Sequence, residues 1–378
     1  MKKLYIYILT TIIVCLLKLN NVNGQIIDYY DISPELSEIE GILEENKNTY
    51  TNVLETTPKE LIKDLLSGNF KFNLSNFINK IVRLLFREVI YNKNILVNLM
   101  MLAIFFAILK NMGSSFLNES ISHIALYSCH IAMVSILIMC FNNCINIVKD
   151  LVNDVRVFSY SILPISTNLM ITSGQITKGS VLRPFILYEL SMVVGLIKKV
   201  ILPLIYYGTI LGILNNITDS IEVSRFGKLL KNIAKIISGF VLTIFIGVIT
   251  IKGSMANCVD ELTGKTAKYM FGTFIPVVGK YLADAAESVI GSLMLIKNVT
   301  GIASIIGILI ICIMPILKLL SVVIILNILE VVLEPVTDKR LVNSVGEVSK
   351  SINGMIGIVF LLAFVVIISF TVLIINYR

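Results

Sequence analysis

Charged residues are scarce in this sequence. They make up 15% of the 378 residues, whereas soluble globular domains contain about 25%. Hydrophobic residues reach 56% and the mean hydropathy is +0.86, which excludes a soluble globular protein. The sequence also lacks alternating apolar and polar strands with regular turns, so a transmembrane barrel is not expected. These features predict an all-α, polytopic integral membrane protein.

Histidine is almost absent, and the two that occur do not predict a metal site. His123 and His130 lie seven residues apart in one apolar run and therefore share a helical face. A metal site would need further ligands at suitable spacing, and the nearby candidates are the thiols of Cys129, Cys140 and Cys144. Buried cysteines in apolar helices usually behave as small hydrophobic residues. We therefore expect no metal and no cofactor.

Motifs of catalytic or nucleotide-binding chemistry are missing as well. Gly279-Lys280 lacks the upstream glycine of a phosphate-binding loop, and neither a His-Glu-x-x-His nor a Gly-x-Ser-x-Gly motif occurs. All six cysteines lie within or beside apolar segments, so no disulfide framework is predicted. The net charge of +7 is spread along the chain, which favours anchoring at the cytoplasmic face of a membrane over nucleic-acid binding. No catalytic residue, and thus no enzyme, is predicted.

The N-terminus has the pattern of an export signal. Lys2 and Lys3 precede an apolar run from Leu4 to Leu17. Val22, Asn23 and Gly24 then supply small or compact residues at the positions that a signal peptidase recognises. We predict a signal peptide over residues 1–24 that is cleaved after Gly24. An uncleaved first helix is the alternative, because Lys18 and the Asn-rich flank resemble an ordinary helix end.

Residues 25–93 are predicted to form an extracytoplasmic helical region. It begins acidic, with seven acids and no base between Gln25 and Asn46. It then becomes amphipathic, with one apolar stripe opposite Asn79, Lys80 and two arginines. The stripe consists of Phe77, Ile78, Ile81, Val82, Leu85 and Val89. This helix is expected on the membrane surface or on a partner, and packing against the protein's own transmembrane helices is the alternative.

Residues 94–378 are predicted to form the transmembrane domain, with about six to eight membrane segments. The candidate segments are Ile95–Lys110, Ile121–Val148, Phe185–Ile197, Val200–Ile217, Ile236–Ile251, Ile302–Leu333 and Gly354–Ile375. Lys198, Lys199 and Pro203 interrupt the third and fourth, which predicts two tilted spans or a broken, re-entrant pair. The segment containing Pro315 is too long for one straight crossing and is predicted to be tilted or kinked.

Basic segments predict the orientation of this domain. Arg225–Lys235 and Lys339–Lys350 are the richest in Lys and Arg, so both are predicted to face the cytoplasm. On that arrangement the segment Lys252–Gly301 faces outward. Gly208 and Gly212 form a Gly-x-x-x-Gly pattern, which allows close helix approach but is frequent by chance in apolar chains.

Three charged residues fall within apolar runs. They are Glu189, Lys318 and Glu330. A charge at membrane depth costs at least about 2.5 kcal/mol unless it is paired or wetted, so these side chains should face the bundle interior or an aqueous path. Two simpler alternatives remain: Lys318 snorkels to the interface, and Glu330 is an end-of-helix residue.

The passage Phe274–Gly301 carries charges between two apolar runs. Spacings of four and three residues place Lys280, Asp284 and Glu287 on one side of a helix, and Lys297 follows further along. Small residues keep this helix slim, so it could pack closely and still line a polar passage. We treat these four residues as a candidate polar or assembly face. An amphipathic helix lying on the membrane surface is the alternative.

The central block of about 80 residues carries a family resemblance. It reads VSRFGKLLKNIAKIISGFVLTIFIGVITIKGSMANCVDELTGKTAKYMFGTFIPVVGKYLADAAESVIGSLMLIKNVTGI and is followed by MPILKLL and LEPVTDKR. These residues resemble the stage III sporulation protein AE family of endospore-forming bacteria, with Lys265–Lys268 and Phe274–Asn298 at signature positions. The N-terminal third resembles the family in layout.

The resemblance implies a role that composition does not. It implies a non-enzymatic, multi-pass protein of the mother-cell membrane around the forespore. Its implied partners are other stage III sporulation A membrane proteins and, in some species, stage II sporulation protein Q. The implied hetero-oligomer is a secretion-like or feeding channel needed for forespore development. The alternative is an autonomous secondary transporter that holds a small solute at broken helices near Pro203 and Pro315.

Overall fold

The computed structural model describes residues 34–45, 47–54, 56–68, 73–113, 119–217, 224–274, 278–335 and 337–374. The predicted signal peptide, residues 1–24, lies outside this description. So do the side chains of residues 253–289 and of His123.

The described residues fold into helices and contain no strand, so the chain is an all-α, polytopic membrane protein. Eleven α-helices can be followed through these ranges. They are α1 (Pro34–Glu44), α2 (Lys47–Leu54), α3 (Pro58–Ser67), α4 (Leu74–Tyr91), α5 (Lys93–Gly113), α6 (Glu119–Thr172), α7 (Ile176–Leu196), α8 (Leu202–Ile217), α9 (Ser224–Phe274), α10 (Val278–Leu333) and α11 (Lys339–Ile374). A π-helical turn, Ile197–Ile201, joins α7 to α8.

Several helices are far longer than a bilayer is thick. α6 has 54 residues and α10 has 56, which corresponds to roughly 80 Å each, whereas about 20 residues cross the hydrocarbon. Four stretches of the described chain are long and apolar enough to span: Leu126–Thr172, Arg225–Lys252, Ile290–Leu333 and Lys339–Ile374. A fifth is possible if Ser75–Tyr91 and Lys93–Leu109, which meet at 43°, form one broken span. The predicted six to eight segments are therefore not confirmed.

The predicted interruption between residues 185 and 217 is wrong. The helical backbone runs from α7 through the π turn into α8, and the Leu202 N–H donates to the Ile197 carbonyl. A proline ring clashes with the carbonyl four residues earlier, which for Pro203 is that of Lys199. The wider π turn over Lys198 and Lys199 supplies the room, so the helix continues without breaking. Pro315 likewise lies inside the continuous α10.

An antiparallel hairpin of α10 and α11 forms the centre of the bundle. The Ser349 hydroxyl donates to Asn327 Oδ1 at 2.6 Å near one end, and Gly301 meets the side chain of Ile374 near the other. α6 packs along both helices. Leu326, Leu329, Val345, Ile352, Val359, Leu362 and Phe370 are fully buried in the core that this packing creates.

The N-terminal helices α1 to α3 cover one side of this bundle. They pack against α6 and α10, and Tyr50 of α2 is buried where Phe158 of α6 approaches Gly307 of α10. A Cβ at Gly307 would lie 2.5 Å from Phe158 Cζ and 3.0 Å from Tyr50 Oη, so the glycine permits the contact. The acidic N-terminal region is thus attached to the transmembrane body by a specific packing surface.

The start of α3 is fixed by a capping box. Thr57 Oγ1 accepts from the Glu60 N–H at 3.2 Å, while the Thr57 N–H donates to Glu60 Oε2 at 2.9 Å. Pro58 occupies the first turn, where its missing N–H costs nothing. At the other end, Gly68 adopts a left-handed conformation with φ 68°. Local sequence therefore defines both ends of this helix.

We expect Thr57→Ala to loosen α3, because the cap is worth about 1 kcal/mol. Amide hydrogen exchange in Leu61–Ser67 should accelerate about fivefold. The hydrogen bond from the Thr57 backbone N–H lowers the pKa of Glu60 below its unfolded value of 4.5. The ionised carboxylate therefore stabilises the cap fully above pH 4.5, and this stabilisation is lost as the pH falls through the lower pKa of the folded state. The Thr57→Ser variant keeps the hydroxyl, and its amides should exchange at the wild-type rate. If the amides of Thr57→Ala also exchange at the wild-type rate, Thr57 does not cap the helix.

Helix α4 has two apolar faces. One packs on α10, where Leu84 and Leu317 are buried together with Val53 of α2. The other is exposed in the chain and consists of Ile78, Val82, Phe86 and Ile90. The helix therefore packs against its own bundle and leaves a second apolar face exposed in the chain, and the placement of that face on the membrane surface or on a partner stays a prediction.

Candidate functional site

The most developed polar site lies where α8, α9 and α11 meet. We call it the polar junction and define it as Thr209, Lys231, Glu347 and Ser351. Lys231 Nζ lies 2.5 Å from Glu347 Oε2, and the Thr209 hydroxyl donates to Ser351 Oγ at 2.7 Å. The Ser351 hydroxyl in turn donates to the Glu347 carbonyl at 2.8 Å. One ion pair and a chain of hydroxyls thus connect three helices.

Glycines make this close approach possible. A Cβ on Gly208 would lie 2.9 Å from the Gly227 carbonyl oxygen, and a Cβ on Gly227 would lie 2.9 Å from the Gly208 carbonyl oxygen. The backbones of α8 and α9 therefore touch, as the Gly-x-x-x-Gly pattern allowed. Gly212 lies one turn further along, and a Cβ added there would lie 3.1 Å from Glu347 Oε2, so the glycine leaves room for this carboxylate.

Burial makes the pairing of these charges important. The Lys231 and Glu347 side chains are 16% and 24% exposed, while Thr209 and Ser351 are almost fully buried. A half-buried charge without a partner is costly, so each member holds the other in place. The junction also joins the two basic segments Arg225–Lys235 and Lys339–Lys350. This contact is consistent with the prediction that both segments lie on the same side of the membrane.

A second polar site lies at the turn between α6 and α7. Lys297 of α10 is 2% exposed, and its ammonium donates to Gln175 Oε1 at 3.3 Å. Lys178, at the start of α7, is 1% exposed and is a neighbouring positive charge. Lys297, one of the four residues predicted as a polar face, is therefore buried inside the chain.

The other three residues of that predicted face lie on α10. The helix is described from Val278, so the expected helical conformation around Lys280, Asp284 and Glu287 is observed. Their side chains lie outside the described residues. Their role as a polar or assembly face therefore stays a prediction.

The three predicted intramembrane charges have different surroundings. Glu189 of α7 is buried, and its Oε2 has no hydrogen-bond partner among the described residues. Lys318 of α10 is exposed, and Glu330 is half-buried three residues before the end of α10. The Glu330 carboxylate packs over Gly346 of α11, where an added Cβ would lie 2.8 Å from Oε1. Thus Glu189 faces the bundle interior and Lys318 does not.

The histidine and cysteine pattern is also visible in part. His130 is buried, as are Cys129, Cys140 and Cys144, and their thiols are free. Within the described ranges, no group of three or more His, Cys, Asp or Glu side chains could hold a metal ion.

Sequence reasoning did not find the polar junction. Its available signals were Gly208, Gly212 and the two basic segments, which pointed to a close contact and to a common side. The pairing of Lys231 with Glu347 spans 116 positions in the chain and depends on the parallel packing of α9 and α11. No local pattern encodes such a pair.

Comparison with known proteins gives one family. The sequence model of Stage III sporulation protein AE (spore_III_AE) matches residues 56–376. Stage III sporulation protein AE of Bacillus subtilis (strain 168) is 27% identical over 325 residues, which cover 86% of this chain and 82% of that protein. No solved structure matches. The match begins at residue 56, so it extends the resemblance into α3, α4 and α5.

Proposed function

Because the chain belongs to the stage III sporulation protein AE family, a family named for sporulation, we propose that it is a non-enzymatic membrane subunit of a secretion-like or feeding channel. This channel connects mother cell and forespore and is needed for forespore development. The observation that carries the proposal is the family match over residues 56–376, which includes α3 to α11 and the polar junction.

The chemistry of the polar junction supports a structural role. Lys231 pairs with the Glu347 carboxylate, the Thr209 hydroxyl donates to Ser351 Oγ, and the Ser351 hydroxyl donates to the backbone carbonyl of Glu347. Such an arrangement fixes the relative positions of α8, α9 and α11 and is typical of helix packing in membranes. We therefore assign the junction to the architecture of the subunit.

The partners in this proposal are other stage III sporulation A membrane proteins and, in some species, stage II sporulation protein Q. The subunit resides in the mother-cell-derived membrane around the forespore, with residues 1–24 removed and residues 25–93 extracytoplasmic. The exposed apolar stripe of α4, Ile78, Val82, Phe86 and Ile90, is a surface that such a complex can cover.

The charges of Asp284 and Glu287 provide a test of assembly. If these carboxylates contact partner subunits, Asp284→Ala combined with Glu287→Ala should reduce recovery of the complex and forespore development by about tenfold or more, since each desolvated contact is worth over 1 kcal/mol. Membrane insertion and amount of protein should not change. The matched control replaces the exposed Asp150 and Glu334 with alanine. Normal sporulation with the first pair of substitutions would remove these carboxylates from the interface.

Transport by the isolated protein would favour the alternative function. The transporter hypothesis depended on broken helices near Pro203 and Pro315, and the structure shows helical backbone through both positions. In liposomes that contain this chain alone, we expect no net uptake of small solutes above protein-free liposomes. Saturable uptake of a defined solute would contradict the subunit proposal.

A further inference from the structure

A groove runs beside the polar junction, between α9 and α11. Its volume is about 390 Å³, within the range of ligand pockets. It extends from Lys228 to Leu242 on α9 and from Glu347 to Leu361 on α11. Fourteen residues of helix correspond to roughly 21 Å, so the groove is long and narrow.

The two ends of the groove differ in polarity. Lys228, Lys231, Lys235 and Lys350 line one end, where the single carboxylate is that of Glu347. Because Glu347 is paired with Lys231, the three remaining lysines give this end a net positive charge. The other end is formed by Leu242, Ile358 and Leu361 together with glycines. A ligand that complements the groove therefore has an anionic head and an apolar tail.

The glycines keep the apolar end open. A Cβ placed on Gly239 or on Gly354 would meet no atom within 4 Å. Both residues line the groove, one on each wall. The space beside them is therefore part of the cavity and is not occupied by the chain's own side chains.

Helix α9, one wall of the groove, is left mostly uncovered by the rest of the described chain. In the candidate span Arg225–Lys252, 17% of the most apolar window is buried within the chain. Ile236, Phe240, Ile244 and Ile251 are exposed along it. The lysines stand at the start of this apolar stretch, where a membrane helix meets the headgroup region.

The order of polarity along the groove favours a lipid over a partner helix. The basic end stands where the apolar stretch of α9 begins, and the apolar end lies further along both helices. The headgroup and the acyl chain of a bilayer phospholipid are arranged in the same order.

We propose that the groove between α9 and α11 binds an anionic phospholipid of the surrounding bilayer. Lys228, Lys235 and Lys350 hold the phosphate headgroup, and one acyl chain lies along Gly239 and Gly354 toward Leu361. Basic pockets between membrane helices recognise anionic headgroups in this way. The bound lipid fills the space between the two helices on the side where their own side chains leave it open.

Lipid retention by the purified full chain tests the proposal. The protein is incubated in mixed micelles with phosphatidylglycerol or phosphatidylcholine, and bound lipid is counted by native mass spectrometry. We expect the wild-type chain to retain phosphatidylglycerol at least tenfold better than phosphatidylcholine. Lys235→Gln with Lys350→Gln should weaken retention of phosphatidylglycerol by about 30-fold, a factor of about five per lysine. No preference in the wild type would overturn the proposal.

Matched variants separate the headgroup from the chain. Lys149→Gln with Lys199→Gln removes the same charge from exposed positions elsewhere and should retain phosphatidylglycerol like the wild type. Gly354→Leu projects into the open groove and should reduce the retention of both lipids. If Lys235→Gln with Lys350→Gln binds phosphatidylglycerol normally while still folded, the lysines do not form the site.

Two other occupants give distinct results. Inorganic phosphate at 10 millimolar, roughly the upper range for weak anion sites, should not displace phosphatidylglycerol; displacement would show a site for free anions.

A photoreactive residue placed at Gly357 in sporulating cells should crosslink to lipid. Crosslinking to a polypeptide would identify the groove as a protein interface and overturn the lipid proposal.

Discussion

Replacing Gly227 with alanine lowers the free energy of unfolding by about 1–3 kcal/mol, the range for overpacked sites. The new Cβ would lie 2.9 Å from the Gly208 carbonyl oxygen and 3.3 Å from Leu211 Cβ. A backbone oxygen cannot rotate away, so α8 and α9 must separate. Lys231 lies one turn further along α9, and the separation therefore also lengthens its contact with Glu347.

The thermal midpoint of the purified protein in detergent measures this effect. The sequence contains no tryptophan, but Cys129, Cys140, Cys144 and Cys312 are buried free thiols, so a thiol-reactive dye reports unfolding. Gly247→Ala is the matched control, because it lies on the same helix and a Cβ there meets no atom within 4 Å. If Gly227→Ala and Gly247→Ala have the same thermal midpoint, α8 and α9 do not pack as closely at Gly227 as the structure shows.

Breaking the ion pair of the polar junction from either side has the second large effect. Lys231→Met leaves the Glu347 carboxylate without its cationic partner, and Glu347→Leu leaves the Lys231 ammonium without its anionic partner. Fully buried pairs lose 3–5 kcal/mol on such a change, and we expect about 2 kcal/mol because these side chains are 16% and 24% exposed. The double variant removes both charges and should lose less than about 1 kcal/mol.

A double-mutant cycle identifies the pairing. The four proteins are compared by the same thiol-dye melting assay, and the coupling should reach about 3 kcal/mol, the upper end of the range for residues in contact. Lys199→Met, at an exposed position of the π turn, serves as the control for loss of a lysine and should be neutral. Additive losses in the double variant would mean that the two charges do not interact.

The sequence predicted the class of the fold and the location of its close contacts better than it predicted helix ends. Composition identified a polytopic helical protein, and Gly208 and Gly212 marked a real helix contact. Hydropathy, however, ended a segment at Val148, whereas α6 continues to Thr172 through the charged residues that follow. An apolar run stops where charges begin, but a helix stops only where its hydrogen bonds do.

Proline and buried charge were the two features that sequence reasoning could not place. Pro203 was expected to interrupt the helix, but a π-helical turn accommodates the proline and the helix continues. Lys297 shares its passage with Asp284 and Glu287, yet it is buried beside Gln175, 122 positions away. Both outcomes depend on neighbours that are distant in the sequence.

The most direct test of the account is the size of the native complex that contains this chain. Membranes from sporulating cells are solubilised in mild detergent, and the chain is followed by native electrophoresis and by crosslinking with mass spectrometry. We expect the chain to migrate in a large assembly with other stage III sporulation A proteins, and we expect this assembly to be lost together with forespore development when the chain is deleted. Recovery of the chain as a free, partner-independent protein in those membranes would contradict it.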